Sequence, residues 1–119
     1  MGTRSIRLKV LDILECIADI EETLNGLDFA AYGKRRTTRR TVERCIEIIS
    51  EASRHIPTEI QLRHPTIPWQ NIRGVGNVLR HDYQHVADPI MWQTATVSVP
   101  ELKTEMETIL TELPPDTDP

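Results

Sequence analysis

The chain has 119 residues, a length that suits one domain with a single hydrophobic core. Because only 4% of the residues are aromatic, aliphatic side chains must build that core, which favours helices packed against helices. A net charge of −4 excludes a chain that is basic throughout, although six of its fourteen Lys and Arg residues fall between positions 34 and 44.

The cysteines and the hydropathy pattern indicate a cytoplasmic protein. Cys16 and Cys45 each lie in an apolar helical pattern, where a reduced thiol behaves as a small hydrophobic side chain. Charged residues interrupt each apolar run near the start, and nothing approaches the roughly 18 consecutive apolar residues of a membrane span. We therefore expect a soluble chain with no signal peptide and no contact with a membrane.

Two long helices are predicted in the first half of the chain. Residues 5–26 carry apolar side chains at spacings of three and four, and Gly26 is expected to end this helix. After a short segment around residues 28–32, the same spacing recurs over residues 34–56. Pro57 ends the second helix, because its ring cannot continue the hydrogen-bonded turn.

The second half begins with a short helix and then a long one. Thr58 is expected to cap the short helix. The stretch Thr66–Trp69, with Pro68 at the first helical position, is typical of a helix start. The long helix that it opens is predicted to reach about Tyr83 or Val86.

The end of the chain completes the predicted fold. Asp88 is expected to cap another short element, and Pro100 to start a last long helix, which a polar tail at 114–119 follows. No segment alternates with a period of two. The prediction is one all-α domain over residues 1–113, an up-and-down bundle of four main helices plus one or two short helices.

The stretch GVGNVLRHDYQHV, which begins at Gly74, concentrates polar side chains on the third long helix. At about 100° per residue, Arg80 and His81 are neighbours in angle and Asn77 lies one turn behind them. Gly74 and Gly76 each cost a helix roughly 1 kcal/mol relative to Ala, so we expect something to approach the backbone closely there. A neighbouring helix, a second subunit or a ligand would each fit, and on spacing alone a solvated polar face is the commoner explanation.

The remaining histidines have simpler interpretations. His85 lies one turn past His81, and such a pair can bind a metal, but no third ligand is evident apart from Asp82 or a partner chain. We therefore favour a solvated His85 and predict no metal site. His55 and His64 stand beside prolines at helix ends, which favours a capping role.

Three blocks of the sequence resemble the HEPN superfamily, and within it the HepT-like toxins of HepT/MntA toxin–antitoxin modules. The blocks are VERCIEIISEASRHIP, HPTIPWQNIRGVGNVLRHDY and MWQTATVSVPELKTEM, so the resemblance covers most of the chain. A long middle helix, the HPTIPW helix start and the His-x-Tyr ending form a specific signature in this order. The resemblance implies a small helical ribonuclease that acts as a homodimer and needs no metal and no cofactor.

The family motif is an Arg, four residues, a His, one residue and a Tyr, and the His and Arg of two subunits form one composite site. By resemblance, His81 is the acid or base or orients the attacking 2′-hydroxyl, and Asn77 holds the geometry. Tyr83 matches the Tyr to which the antitoxin, a minimal nucleotidyltransferase of the MntA type, adds AMP. The family's Arg offsets charge on the phosphoryl oxygens.

The sequence departs from the family at the position of the motif Arg, which Gly76 occupies here. The nearest arginines are Arg73 and Arg80. Helical side chains lean toward the helix N-terminus, so Arg80 leans toward position 76 and Arg73 leans away from it. We expect Arg80 to be the better substitute.

Two classes of function follow from this departure. In the first, the chain is an endoribonuclease toxin with Arg80, or else Arg73, in place of the motif Arg. In the second, the loss of that Arg leaves an inactive HEPN protein that binds a minimal nucleotidyltransferase. A basic cluster at the start of the second long helix is either a solvated face or a surface for RNA phosphates or the antitoxin. The basic cluster consists of Arg35, Arg36, Arg39 and Arg40.

Overall fold

The computed structural model describes residues 3–82 and 87–114, and the regular elements within these ranges are all helical. Four helices are long: α1 (Thr3–Leu24), α3 (Arg36–Ser53), α5 (Trp69–Asp82) and α7 (Val99–Glu112). Three are short: α2 (Phe29–Lys34), α4 (Thr58–Arg63) and α6 (Asp88–Gln93). The predicted all-α bundle of four main helices is confirmed, with one short helix more than expected. None of the described helices is long and apolar enough to cross a membrane.

Helix α3 is the centre of the bundle. It packs against both α1 and α5, and α1 also packs against α7. The apolar stripe predicted for the first helix is buried in the core, where Val10 and Ile13 are completely inaccessible. Cys16 of α1 and Cys45 of α3 are free thiols and both are buried, as their apolar surroundings in the sequence predicted.

Local signals mark the boundaries of the first helices, although α3 ends before the predicted end at Ile56. Gly26, which follows α1, has a φ of +78°, a conformation that side chains with a Cβ rarely adopt. Asp28 caps α2 by accepting a hydrogen bond of 2.8 Å from the backbone N–H of Ala31. Helix α3 ends at Ser53, four residues before Pro57.

Two predicted caps were wrong by one residue. Thr58 is the first residue of α4, and Pro57 occupies the cap position without a side-chain hydrogen bond. Asp88 is likewise the first residue of α6, and Ala87 occupies its cap position. Both short helices therefore begin one residue earlier than predicted.

Helical backbone is continuous from α6 into α7, although Pro100 was predicted to start a separate helix. A π-helical turn, Thr94–Ser98, joins the two helices, and the N–H of Val99 donates to the carbonyl of Thr94. Pro100 is the second residue of α7 and has no N–H to donate. The wider π turn changes the hydrogen-bonding pattern just before the proline, which lets the helix continue.

His64 clamps the turn before α5 onto α7. Its side chain is buried, with Nδ1 3.0 Å from Oε2 of Glu105 and Nε2 3.1 Å from Oε2 of Glu112. Both ring nitrogens can donate only in the imidazolium form, which suits a site between two carboxylates. The carbonyl of His64 accepts a hydrogen bond of 3.1 Å from Nε1 of Trp69, so the same residue also fixes the first residue of α5. His64 also occupies the C-cap position of α4, the helix-end role that was predicted, but its backbone N–H makes the capping contact while its side chain makes the clamp.

We predict that the clamp makes stability depend on pH. Burial by itself lowers the pKa of His64, but hydrogen bonds and charges of Glu112 and Glu105 outweigh burial and raise the pKa above its ordinary value of 6.5. The unfolded chain has the ordinary pKa. The stabilisation is therefore complete below about pH 6.5 and is lost as the pH rises through the folded-state pKa.

Urea unfolding from about pH 6 to about pH 9 measures this effect. At the acidic end, His64→Gln should lower the free energy of unfolding by roughly 2 to 3 kcal/mol, the usual range for hydrogen bonds to charged groups. The difference from wild type should shrink as the pH rises. His55→Gln, at an exposed histidine, is the control and should have little effect at any pH. If His64→Gln lowered the free energy of unfolding by the same amount at every pH, the result would contradict a clamp that depends on a charged His64.

Candidate functional site

A close contact between α3 and α5 places the polar strip of α5. Gly76 faces Ser50, and a Cβ built on Gly76 would lie only 2.1 Å from both the Cβ and the Oγ of Ser50. The Oγ of Ser50 also donates a hydrogen bond of 3.4 Å to the carbonyl of Arg73. A neighbouring helix, one of the three alternatives that the sequence left open, therefore accounts for the glycine at position 76.

Gly74 differs from Gly76, although the two lie on the same helix. A Cβ built on Gly74 meets nothing within 4 Å. Gly74 lines an open groove of about 510 Å³ between α5 and the helical segment that starts with α6. Val78 and Ile90 line the same groove and are 42% and 52% exposed. A single chain thus has room for a side chain at position 74.

Arg80 lies one turn after Gly76 and joins α5 to α3. Its Nη2 donates to Oδ1 of Asn77 at 3.1 Å, and its Nη1 donates to Oε2 of Glu51 at 3.0 Å. The side chain reaches back toward the helix N-terminus, in the direction predicted from helix geometry. The structure therefore brings together two of the predicted site residues, Arg80 and Asn77, and adds Glu51, which the sequence analysis missed.

The other candidates on this helix do not join that contact in the described structure. Arg73 is half-buried and its Nη1 lies 3.5 Å from Oε1 of Gln61 in α4. Its side chain thus reaches in another direction, as predicted from its lean away from position 76. His81 is exposed near the described end of α5. Tyr83 and His85 lie outside the described residues.

The basic cluster lies at the start of α3, and three of its four arginines are exposed. Arg39 is the exception, because it is half-buried and donates a hydrogen bond to the carbonyl of Gly33. Arg40 lines a groove of about 360 Å³ together with Leu79, the residue before Arg80. Since α3 and α5 share this groove, one end of the basic cluster lies beside the polar strip. The other lining residues are Glu43, Arg44 and Glu47.

A second groove, of about 290 Å³, runs beside the Arg80–Glu51 pair between α1, α3 and α5. Its charged lining residues are Lys9, Asp12, Arg44, Glu47, Glu51 and Arg80. Three of them are basic and three are acidic, so the charged side chains of the lining carry no net charge. Any attraction for an anion at this place must come from individual side chains.

Comparison with known proteins shows the family of the chain. A family model described as "Ribonuclease HepT-like" matches residues 13–109, so the chain belongs to the HepT-like ribonuclease family. The "Probable ribonuclease HepT" of Thermococcus cleftensis is 35% identical over 96 residues, which cover 81% of this chain and 87% of that protein.

Relatives in a second organism match almost the full length. "Putative RNase MJ1216" and "Putative RNase MJ0125" of Methanocaldococcus jannaschii are 32% and 33% identical over 113 residues. Both matches cover 95% of this chain, and they cover 93% and 97% of the relatives. No solved structure matches the chain significantly. The resemblance to HepT-like proteins that the sequence motifs indicated is confirmed.

We predict opposite effects of alanine at the two glycines of α5. Gly76→Ala should lower the free energy of unfolding by roughly 1 to 3 kcal/mol, because the new methyl group overlaps with Ser50. Gly74→Ala should raise it by about 0.5 to 1 kcal/mol, because Ala is the better helix former and the space is open. Urea unfolding of both variants measures the contrast.

A double-mutant cycle then tests whether Ser50 is the cause. In a Ser50→Gly background, which removes both overlapping atoms, Gly76→Ala should cost much less than in wild type. Equal effects of alanine at positions 74 and 76, or a cost at position 76 that Ser50→Gly leaves unchanged, would contradict the close approach of the helices.

Proposed function

We propose that the chain is an endoribonuclease toxin of a HEPN–nucleotidyltransferase module, active in the cytoplasm as a homodimer without metal or cofactor. Membership of the HepT-like family and relatives named as ribonucleases support RNA as the substrate. The observation that carries the proposal for this chain is the hydrogen bond between Arg80 and Asn77. It holds a guanidinium at the polar motif residue although Gly76 has no side chain.

Arg80 and His81 would divide the chemistry between them. The imidazole of His81 accepts the proton of an RNA 2′-hydroxyl or orients that hydroxyl, whose oxygen then attacks the adjacent phosphorus. The bond from phosphorus to the 5′-oxygen breaks, and that oxygen takes up a proton as it leaves. The Arg80 guanidinium offsets the charge that gathers on the phosphoryl oxygens, for which its fork of N–H donors is suited.

The packing around Gly76 supports Arg80 over the other candidate arginine. A side chain at position 76 would collide with Ser50, so the packing of this chain leaves no room for the family's Arg at its usual position. Arg73 contacts Gln61, whereas Arg80 contacts the motif residue Asn77. We infer that the guanidinium has moved one turn along the same helix and acts from there.

The exposed members of the basic cluster would extend the site toward its partners. Arg35, Arg36 and Arg40 are free to reach solvent, and Arg40 shares a groove with Leu79 of α5. Phosphates of RNA or an acidic surface of the antitoxin would bind there through charge. Arg39 has a smaller part in this proposal, because it donates to the backbone of α2.

Substitution of the two proposed catalytic residues tests the function. Arg80→Ala and His81→Ala should each reduce RNA cleavage by at least about 100-fold, since each removes a group that acts on the reacting phosphate. The measurement is the cleavage rate of total RNA by the purified protein and the growth of cells that express it. Sedimentation of each variant should show the same folded assembly as wild type.

Arg73→Ala is the matched control on the same helix and should retain most of the cleavage. If Arg73→Ala abolishes cleavage and Arg80→Ala does not, the relocated guanidinium is Arg73. Cleavage that survives His81→Ala would remove this helix from the reaction. A wild-type chain that never cuts RNA would favour the second class of function, an inactive partner of the nucleotidyltransferase.

We also propose that AMP addition to Tyr83 controls the activity. The purine and the phosphate charge would stand two residues from His81, where they would repel the RNA backbone and pair with nearby arginines. The other tyrosine of the chain, Tyr32, is fully buried against Trp92. Burial, together with the charges of Glu43 and Asp88, raises the pKa of Tyr32 to about 12 and makes it a poor acceptor.

Coexpression with a minimal nucleotidyltransferase encoded beside the chain tests this control. The intact mass should increase in units of AMP for wild type and for the control Tyr32→Phe, but not for Tyr83→Phe. The modified protein should no longer cleave RNA. A neutralised complex in which Tyr83 stays unmodified would show that the antitoxin acts by occlusion instead.

A further inference from the structure

Glu51 stands outside the HEPN motif, yet it forms an ion pair with Arg80 in the described structure. Its Oε2 lies 3.0 Å from Nη1 of Arg80, whereas Oδ1 of Asn77 accepts from Nη2. The two acceptors bind different amino groups of the same fork. One comes from the helix of Arg80 itself, and the other from α3.

The position of Glu51 follows from the closest contact of the two helices. Glu51 directly follows Ser50, whose Cβ and Oγ occupy the space where a side chain at position 76 would lie. Arg80 is one turn after Gly76 on α5. The packing that excludes the family's Arg from position 76 therefore also delivers a carboxylate to the arginine that replaces it.

Two fixed acceptors matter for a side chain as flexible as arginine. A free arginine side chain has many rotamers, and part of this conformational entropy is lost each time the guanidinium is oriented for a phosphate. Hydrogen bonds at both amino groups remove most of that freedom before the substrate binds. An arginine has five N–H donors, so a phosphoryl group can bind to the same guanidinium while both acceptors hold it.

The negative charge of Glu51 repels a substrate phosphate, but only weakly. The side chain of Glu51 is 53% exposed, so water screens most of its repulsion of a nearby phosphate. Glu51 also approaches Arg54 at 3.6 Å and His55 at 3.8 Å, both just after the end of α3 and both farther away than Arg80. The charge of Arg54 reduces the repulsion between Glu51 and a phosphate further.

We propose that Glu51 is a positioning residue: together with Asn77 it holds the guanidinium of Arg80 in the orientation that binds the reacting phosphate. The proposal rests on the proposed function, in which Arg80 contacts that phosphate. It assigns a role to α3 in a site whose described motif residues, Asn77 and His81, lie on α5. The opposite role, a carboxylate that occupies Arg80 and restrains the enzyme, predicts the opposite result in the same experiment.

The cleavage experiment compares Glu51→Ala and Glu51→Gln with wild type. Glu51→Ala should lower kcat by about 10-fold with less than about twofold change in KM, because orientation and not net attraction is lost. Glu51→Gln retains an acceptor oxygen and should recover most of that loss. Glu47→Ala is the matched control, because Glu47 lies one turn earlier on α3 and pairs with Arg44 at 2.9 Å. It should leave kcat within about twofold of wild type.

NMR of the arginine side chains tests the positioning without any RNA. In wild type, the Nη protons of Arg80 should show hindered rotation, and Glu51→Ala should release it while Glu47→Ala does not. A freely rotating Arg80 in wild type would overturn the proposal, as would a Glu51→Ala variant that cleaves RNA as fast as wild type or faster. A wild-type chain that holds Arg80 rigid yet cuts no RNA would overturn the proposed function. The conclusion that Glu51 helps to hold the guanidinium of Arg80 would remain.

Discussion

The close approach of α3 and α5 at Ser50 and Gly76 is the constraint on which the site depends. A single methyl group at position 76 would overlap with two atoms of Ser50. With glycine there, the helices touch, and the next turn of α5 comes within reach of Glu51. The absence of a side chain at position 76 thus follows from the packing of this chain around Ser50, and it accompanies a guanidinium one turn later.

The other end of α5 is anchored by different chemistry. The turn before this helix is held by His64, whose imidazolium lies between two carboxylates of α7 and whose carbonyl accepts the indole N–H of Trp69. The placement of α5 in the bundle is therefore fixed by a charged clamp at the start of the helix and by van der Waals contact in its middle. Both anchors act on the rigid element that carries Asn77, Arg80 and His81. A rigid support of this kind favours catalysis, since misplacement of a reacting group by about 1 Å can cost 100-fold in rate.

Much of the helical framework could be predicted from local patterns. Apolar spacing, Gly26 and Pro57 located the first two long helices, because these signals depend on neighbours within a few turns. The lean of Arg80 toward Asn77 was also predictable, since it follows from helix geometry alone. The continuation of the helix through Pro100 could not be predicted, because the residue types of the π turn that accommodates the proline are not distinctive.

The sequence by itself determined the helical class and the family, because periodicity and motif spacing are properties of the chain. The resemblance to the family also implied that Gly76 stands at the position of the motif Arg. Only the tertiary structure decided why, since the atoms that exclude a side chain there belong to Ser50, 26 residues away in the sequence. The role of His64 as a clamp and the contact of Glu51 with Arg80 were decided in the same way. Each joins residues from separate helices, and no local pattern specifies which faces of two helices meet.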